Sequence, residues 1–140
     1  MTPKITLTDT PDDGMINTLA KKLMAFNKFS SGRPLDHRSL TISVTHPDTS
    51  ELLGGLWGST AYSHLHIELL YLPDELRGAG LGRQLMTQAE REAIQRGCRG
   101  VWLDTFSFQA RGFYERLGYK PFGSFAYPDG VSRCYLSRDL

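Results

Sequence analysis

"LPDELRGAGLGRQL", residues 72–85, carries Gly78, Gly80 and Gly82 within five positions, with Arg77 and Arg83 on either side. An apolar segment ends just before it and an amphipathic one begins inside it. The stretch reads as the turn between a strand and a helix. The first N–H groups of a helix have no partner within it and carry the positive end of its dipole. Glycine lets an anion approach them closely. A plain structural turn is the other reading the glycines allow. No Gly-Lys-Ser/Thr follows, so this is not a Walker loop. The spacing G-x-G-x-G is one residue off the dinucleotide fingerprint, and neither Glu92 nor Asp104 sits where a ribose would need an acid.

Before the turn, "YSHLHIELLYL" (62–72) reads as the strongest strand in the chain. After it, Leu81, Leu85, Ala89 and Ala93 step by four with charged residues on the other faces, and Gly97 stops the helix. Further out, "KITL" (4–7) reads as a short strand. Thr10 caps a helix whose first turn holds Pro11, Asp12 and Asp13, with Ile16, Leu19, Ala20 and Leu23 on one stripe. Segments 39–46 and 52–61 read as two strands, and "GVWLDT" (100–105) as another. "SFQARGFYERLGY" is a helix with Ala110, Phe113, Tyr114 and Leu117 on its stripe and Gly118 as its stop. Two last strands, near 120–127 and 131–138, flank the turn "YPDG". This order describes a mixed α/β sheet covered by helices.

The bulk numbers bound the function. A chain of 140 residues, 40% apolar, suits a single domain over 1–140 with one core. The net charge of +1, with acids and bases interspersed, argues against a nucleic-acid surface. No apolar run suits a membrane span, and "MTPKITLTDT" lacks the apolar core of a signal peptide. Cys98 and Cys134 form neither a metal spacing nor a disulfide framework, which points to a reducing cytoplasm.

The motifs also carry a resemblance. "ELRGAGLGRQLMTQAE" resembles the acetyl-CoA signature of the GCN5-related N-acetyltransferases (GNAT), Arg/Gln-x-x-Gly-x-Gly/Ala, through Arg77, Gly80 and Gly82. "FYERLGYKPFG" resembles the family's second signature, about 30 residues downstream and in the right order. The likeness is good over 62–126. It implies a GNAT-like mixed, mostly antiparallel sheet flanked by helices, with two parallel central strands, 62–72 and 100–105, splayed apart. It also implies an acetyl-CoA-dependent N-acetyltransferase that acts directly on a primary amine, without a covalent enzyme intermediate. An acetyl-CoA-binding sensor without turnover is the alternative, and a homodimer stays open.

Residue by residue, the resemblance implies that Arg77, Gly78, Ala79, Gly80, Leu81, Gly82 and Arg83 wrap the pyrophosphate of coenzyme A, mainly through backbone N–H. The backbone of Leu70 and Leu72 would pair with the pantetheine arm. Ser107 stands where the family often has asparagine, as a pantetheine ligand or a helix cap. Tyr114 sits at the position of the general acid that protonates the leaving thiolate, and it also lies on the apolar stripe.

In "HLHIE", an unbulged strand puts His64, His66 and Glu68 on one face and Leu65, Ile67 and Leu69 on the other. Glu68, then His66, resemble the positions of the base that takes the amine proton. An ordinary solvent-facing stripe is the competing reading. No third ligand at suggestive spacing completes a zinc site with the histidines, so no metal is expected. The acceptor pocket is expected to border on 27–39. Polyamines, aminoglycosides, amino-acid-like toxins and peptide N-termini all stay open as acceptors.

Overall fold

Alternation of apolar residues through the middle of the chain builds three antiparallel strands in succession: β1 (Arg38–Thr45), β2 (Leu52–Ala61) and β3 (His64–Tyr71). A glycine turn leads into α2 (Leu81–Gln95), then β4 (Gly100–Phe106), α3 (Arg111–Arg116), β5 (Lys120–Ala126) and β6 (Ser132–Asp139). The strand order is β1-β2-β3-β4-β6-β5, and only β3 and β4 run parallel. The computed structural model describes residues 1–33 and 35–140. They divide into two compact units, Met1–Leu35 and Asp36–Leu140.

In the larger unit the stripe of α2 lands on one face of the sheet. Leu85, Met86, Ala89 and Ala93 are buried with Leu56, Leu65, Ile67, Val101, Leu103 and Leu136. Each large aliphatic side chain removed from water there contributes about 2 kcal/mol before the entropy of ordering is set against it. Tyr114 and Tyr119 close the same core beside α3. The helices stop where expected, at Gly97 (φ +82°) and Gly118 (φ +93°). No described helix is long and apolar enough to cross a membrane.

The smaller unit holds α1 (Asp13–Ser31). Two expectations fail here. Asp12, not Thr10, is the cap: its carboxylate accepts from the Met15 N–H at 2.7 Å. A carboxylate placed there meets both an orphan donor and the positive helix end. Residues 4–7 are not a strand. They join none of the ladders that would satisfy their backbone groups. The segment 27–39 is split between the units, and its residue 34 lies outside the described residues.

Strand β3 also begins later than the sequence suggests. Tyr62 and Ser63 form a two-residue hairpin turn with φ of +50° and +61°, and Ala61 pairs with His64 across it. Turns of this hand normally use Asn or Gly, so "YS" gave no signal.

Candidate active site

The parallel pairing of β3 with β4 runs from His64↔Gly100 to Ile67↔Leu103 and stops. Both strands continue, so Glu68–Tyr71 have no strand on their β4 side. The expected splay is therefore present, and its apex lies one step past Ile67.

Glu68 is the extra residue of a β-bulge. Trp57 pairs with Leu69 and the next residue, Gly58, pairs with Ile67. A bulge shifts the side-chain alternation by one. Leu69, expected on the core face, is 62% exposed, and Leu70 packs against the core instead. The unbulged reading of "HLHIE" is corrected accordingly. His66 and Glu68 nonetheless stay together, with His66 Nδ1 3.8 Å from Glu68 Oε1. His64 turns back to the hairpin, its Nδ1 3.2 Å from the Tyr62 carbonyl. His66 stacks on Trp102 of β4, its register partner. Burial holds the His66 pKa below its ordinary value, although Glu68 and Asp104 pull it upward.

At the other end of the splay, Gly80 (φ +80°) is the residue before α2, and no side chain caps that helix. The first helical bond runs from the Gln84 N–H to the Gly80 carbonyl. The N–H groups of Leu81, Gly82 and Arg83 are thus left outside the helix ladder. A Cβ on Gly78 or Gly80 would meet nothing within 4 Å. Gly82 is different, because its Cβ would come 3.2 Å from the Phe113 ring. Gly82 therefore also serves the packing of α2 against Phe113. The Arg77 guanidinium folds back into its own loop, bonding the Leu72 carbonyl at 2.8 Å and Asp74 at 2.9 Å.

Tyr114 is buried against the edges of Phe113 and Tyr119. Its pKa is pushed up to about 12, by burial first and by the charge of Asp104 second. Ser107 does not cap α3, whose first residue follows Ala110 without a side-chain cap bond. Its hydroxyl accepts from the Ser132 N–H at 3.1 Å, pinning the start of β6 to the end of β4.

The splay, the uncapped helix start beside it and the buried tyrosine form the arrangement that the two signatures describe. The family model for the acetyltransferase (GNAT) family matches residues 17–119. The chain belongs to the GNAT acetyltransferase family. It is 37% identical over 118 residues to an acetyltransferase of Agrobacterium fabrum, covering 84% of this chain and 85% of that protein. It is 38% identical over 110 residues to blasticidin-S acetyltransferase of Streptomyces morookaense, covering 76% and 81%. A crystal structure from Agrobacterium tumefaciens, assigned as an acetyltransferase, matches with a TM-score of 0.92 at 33% identity. The match covers 99% of this chain and 100% of that one.

The protein is accordingly an acetyl-CoA-dependent N-acetyltransferase. The free N–H groups at the start of α2 and the open space beside Gly78 and Gly80 suit the diphosphate of that cosubstrate.

Sequence reasoning missed two charged residues of the acetyltransferase's second sheet face. Asp104 alternates with Trp102 and Phe106 along β4, and Arg133 Nε lies 2.7 Å from its Oδ2. From the sequence, Asp104 stands out only as an acid misplaced for a ribose. The signal that could have found it is the register: one step beyond Ile67↔Leu103, Glu68 and Asp104 would face each other.

Proposed function

We propose that the acetyltransferase moves the acetyl group directly to a primary amine of a cationic small molecule, within the cytoplasm. The observation that carries this reading is the end of the β3–β4 pairing at Ile67↔Leu103, which is followed on each strand by a carboxylate, Glu68 on β3 and Asp104 on β4. Blasticidin-S acetyltransferase is named for a small-molecule acceptor, and this chain resembles it over most of its length. The two cysteines are free and buried, which suits a reducing compartment.

In this reading Leu81, Gly82 and Arg83 offer backbone N–H groups to the diphosphate, with Arg77, Gly78, Ala79 and Gly80 shaping the loop. Leu70 and Leu72 present backbone to the pantetheine arm, and Ser107 borders it. Glu68 takes the proton of the attacking amine, directly or through water, and His66 is the second candidate. The new C–N bond forms as the C–S bond breaks, and Tyr114 protonates the departing sulfur. The first proton of the ammonium, held by Glu68, passes to solvent, and the N–H proton that the acylated nitrogen then sheds returns to Tyr114, directly or through water. A phenol kept neutral by burial suits the acid's role, because it enters each cycle protonated.

The test is release of free coenzyme A over a panel of amines, with mass spectrometry of the products. N-acetylated small amines are the expected result. Tight acetyl-CoA binding with no acceptor turnover would sink this reading in favour of a sensor. Acetylation confined to peptide N-termini would sink the small-molecule part alone.

A further inference from the structure

Asp104 and Arg133 form a half-buried ion pair on the sheet face that opens into the splay, with 24% and 33% of their side chains exposed. The fold has little need of it. Taking two charges out of water costs about as much as their attraction returns, so such pairs are weak stabilisers. Arg133 Nε lies 2.7 Å from Asp104 Oδ2, where charge and hydrogen bonding both act. Yet a carboxylate has two oxygens and several acceptor sites, so this one contact does not saturate it. Beside it, His66 Nε2 is buried and without a partner among the described residues. The His66 ring, stacked on Trp102, and Asp104, two residues on from Trp102 along β4, thus share one face of the sheet.

The local surroundings say what fits. The Arg133 guanidinium lies 4.6 Å over the Phe106 ring, and its Nη1 is 3.5 Å from the Tyr127 hydroxyl. A carboxylate, an aromatic face and a phenol oxygen around a planar cation describe a cation-binding wall. Glu68 and Asp104 against Arg133 leave this face net negative. An acceptor with a single positive amine would need Glu68 alone.

We infer that Asp104 is a specificity-determining residue, anchoring a second positive group of an acceptor whose reacting amine lies at Glu68. Arg133 tunes that anchor by competing for it. The acceptor class is therefore a dication, either a diamine or an amine that also bears a guanidinium. The inference rests on the proposed transfer to small amines and narrows it.

The probes are 1,4-diaminobutane, 4-aminobutylguanidine and butylamine, which share one chain length. With wild type, the two dications should show lower KM than the monoamine. In Asp104→Asn that preference should shrink about tenfold or more, with kcat for the dications less affected than KM. In Arg133→Gln, which frees Asp104, the preference should grow. Calorimetric titration of the same three amines onto the coenzyme A-saturated protein reads the anchor without turnover. Dication binding that depends on Asp104, with no acetylation of any amine, would overturn the transfer reading and leave the anchor standing. Equal affinity of wild type for monoamine and dications would overturn the anchor, as would a preference unchanged in Asp104→Asn. Should Asp104→Asn fail to fold, Arg133→Gln decides: a preference that falls or stays level refutes the inference.

Discussion

His66 lies face to face with Trp102, ring centroids 3.6 Å apart and planes within 5° of parallel. The stack fixes the imidazole across the two parallel strands at their last stretch of pairing, with Nδ1 toward Glu68. Burial lowers its pKa, so the ring is neutral at pH 7. Its Nε2 is closed off from solvent. Glu68, lifted out by the bulge, is the more accessible group. In the proposed mechanism Glu68 is accordingly the proton acceptor and His66 the side chain that shapes its surroundings.

This division predicts two different pH–rate profiles. Glu68→Gln keeps size and polarity but cannot usefully take a proton. Its kcat should fall by about 10²-fold at neutral pH. It should recover in part at higher pH, where more of the amine is already unprotonated. His66→Gln should lose less. Simple loss of acceptor attraction would instead raise KM and spare kcat. A Glu68→Gln profile that overlays wild type would remove Glu68 from the chemistry.

The glycine turn is tested by a matched pair of variants. Gly80 has φ +80°, so any side chain there is strained. Asn and Asp tolerate that region better than other residues and have nearly the same shape. Gly80→Asn and Gly80→Asp should lose similar stability by thermal melting. Only the aspartate sets a negative charge at the helix start. Coenzyme A should bind it at least tenfold more weakly than the asparagine variant in calorimetry. Equal affinities would refute the diphosphate cradle. Gly82→Asp is the poorer probe, since it would also displace Phe113.

Glu90 offers a test of the fold itself. It accepts from the Tyr119 hydroxyl at 3.2 Å and pairs with Arg138, tying α2 to β6. Burial raises its pKa more than Arg138 and Tyr119 lower it. A folded pKa above the unfolded one contributes stability below the unfolded pKa, and that contribution is lost as pH rises through the folded value. Ionised Glu90 is thus a net cost at pH 7. Glu90→Gln keeps an acceptor for Tyr119 and leaves Arg138 partly solvated. Its Tm should match or exceed wild type at pH 7, with the gap closing toward pH 4. Glu90→Leu strands the Tyr119 hydroxyl and should cost about 1–3 kcal/mol. A large loss in Glu90→Gln would show that the ion pair outweighs its desolvation.

These residues also show which features a sequence exposes. The helix stops at Gly97 and Gly118 and the turn at Gly78–Gly82 were legible, because positive φ is written in glycine. The strands were legible because alternation is. The bulge at Glu68 was not, since nothing in "HLHIELLY" marks an extra residue. The misplaced Leu69 followed from that. The hairpin at Tyr62 and Ser63 hid because the turn forces positive φ on residues that seldom adopt it. Asp104 and Arg133 were invisible as a pair: they are 29 positions apart and meet only through the β4–β6 register. Residues 4–7 failed for the opposite reason, because local alternation cannot supply a partner strand.

The last prediction concerns Tyr114. Its hydroxyl can serve as the acid only while protonated. Burial and the charge of Asp104 push its pKa up to about 12, so the acid form persists far above neutrality. A tyrosine of ordinary pKa, near 10, would begin to lose its proton by about pH 9. The rate should therefore hold level to about pH 10, and any fall should come as pH approaches 12. Tyr114→Phe keeps the ring packed between Phe113 and Tyr119 and removes only the proton. Its Tm and its affinity for coenzyme A should stay close to wild type. Its kcat should drop by about 10²-fold at every pH in that range. In Asp104→Asn the pKa of Tyr114 should move down, because a neighbouring negative charge is gone, and the basic limb of the profile should shift to lower pH with it. If Tyr114→Phe turns over at the wild-type rate, the hydroxyl donates nothing to the leaving sulfur, and Tyr114 belongs to the core alone.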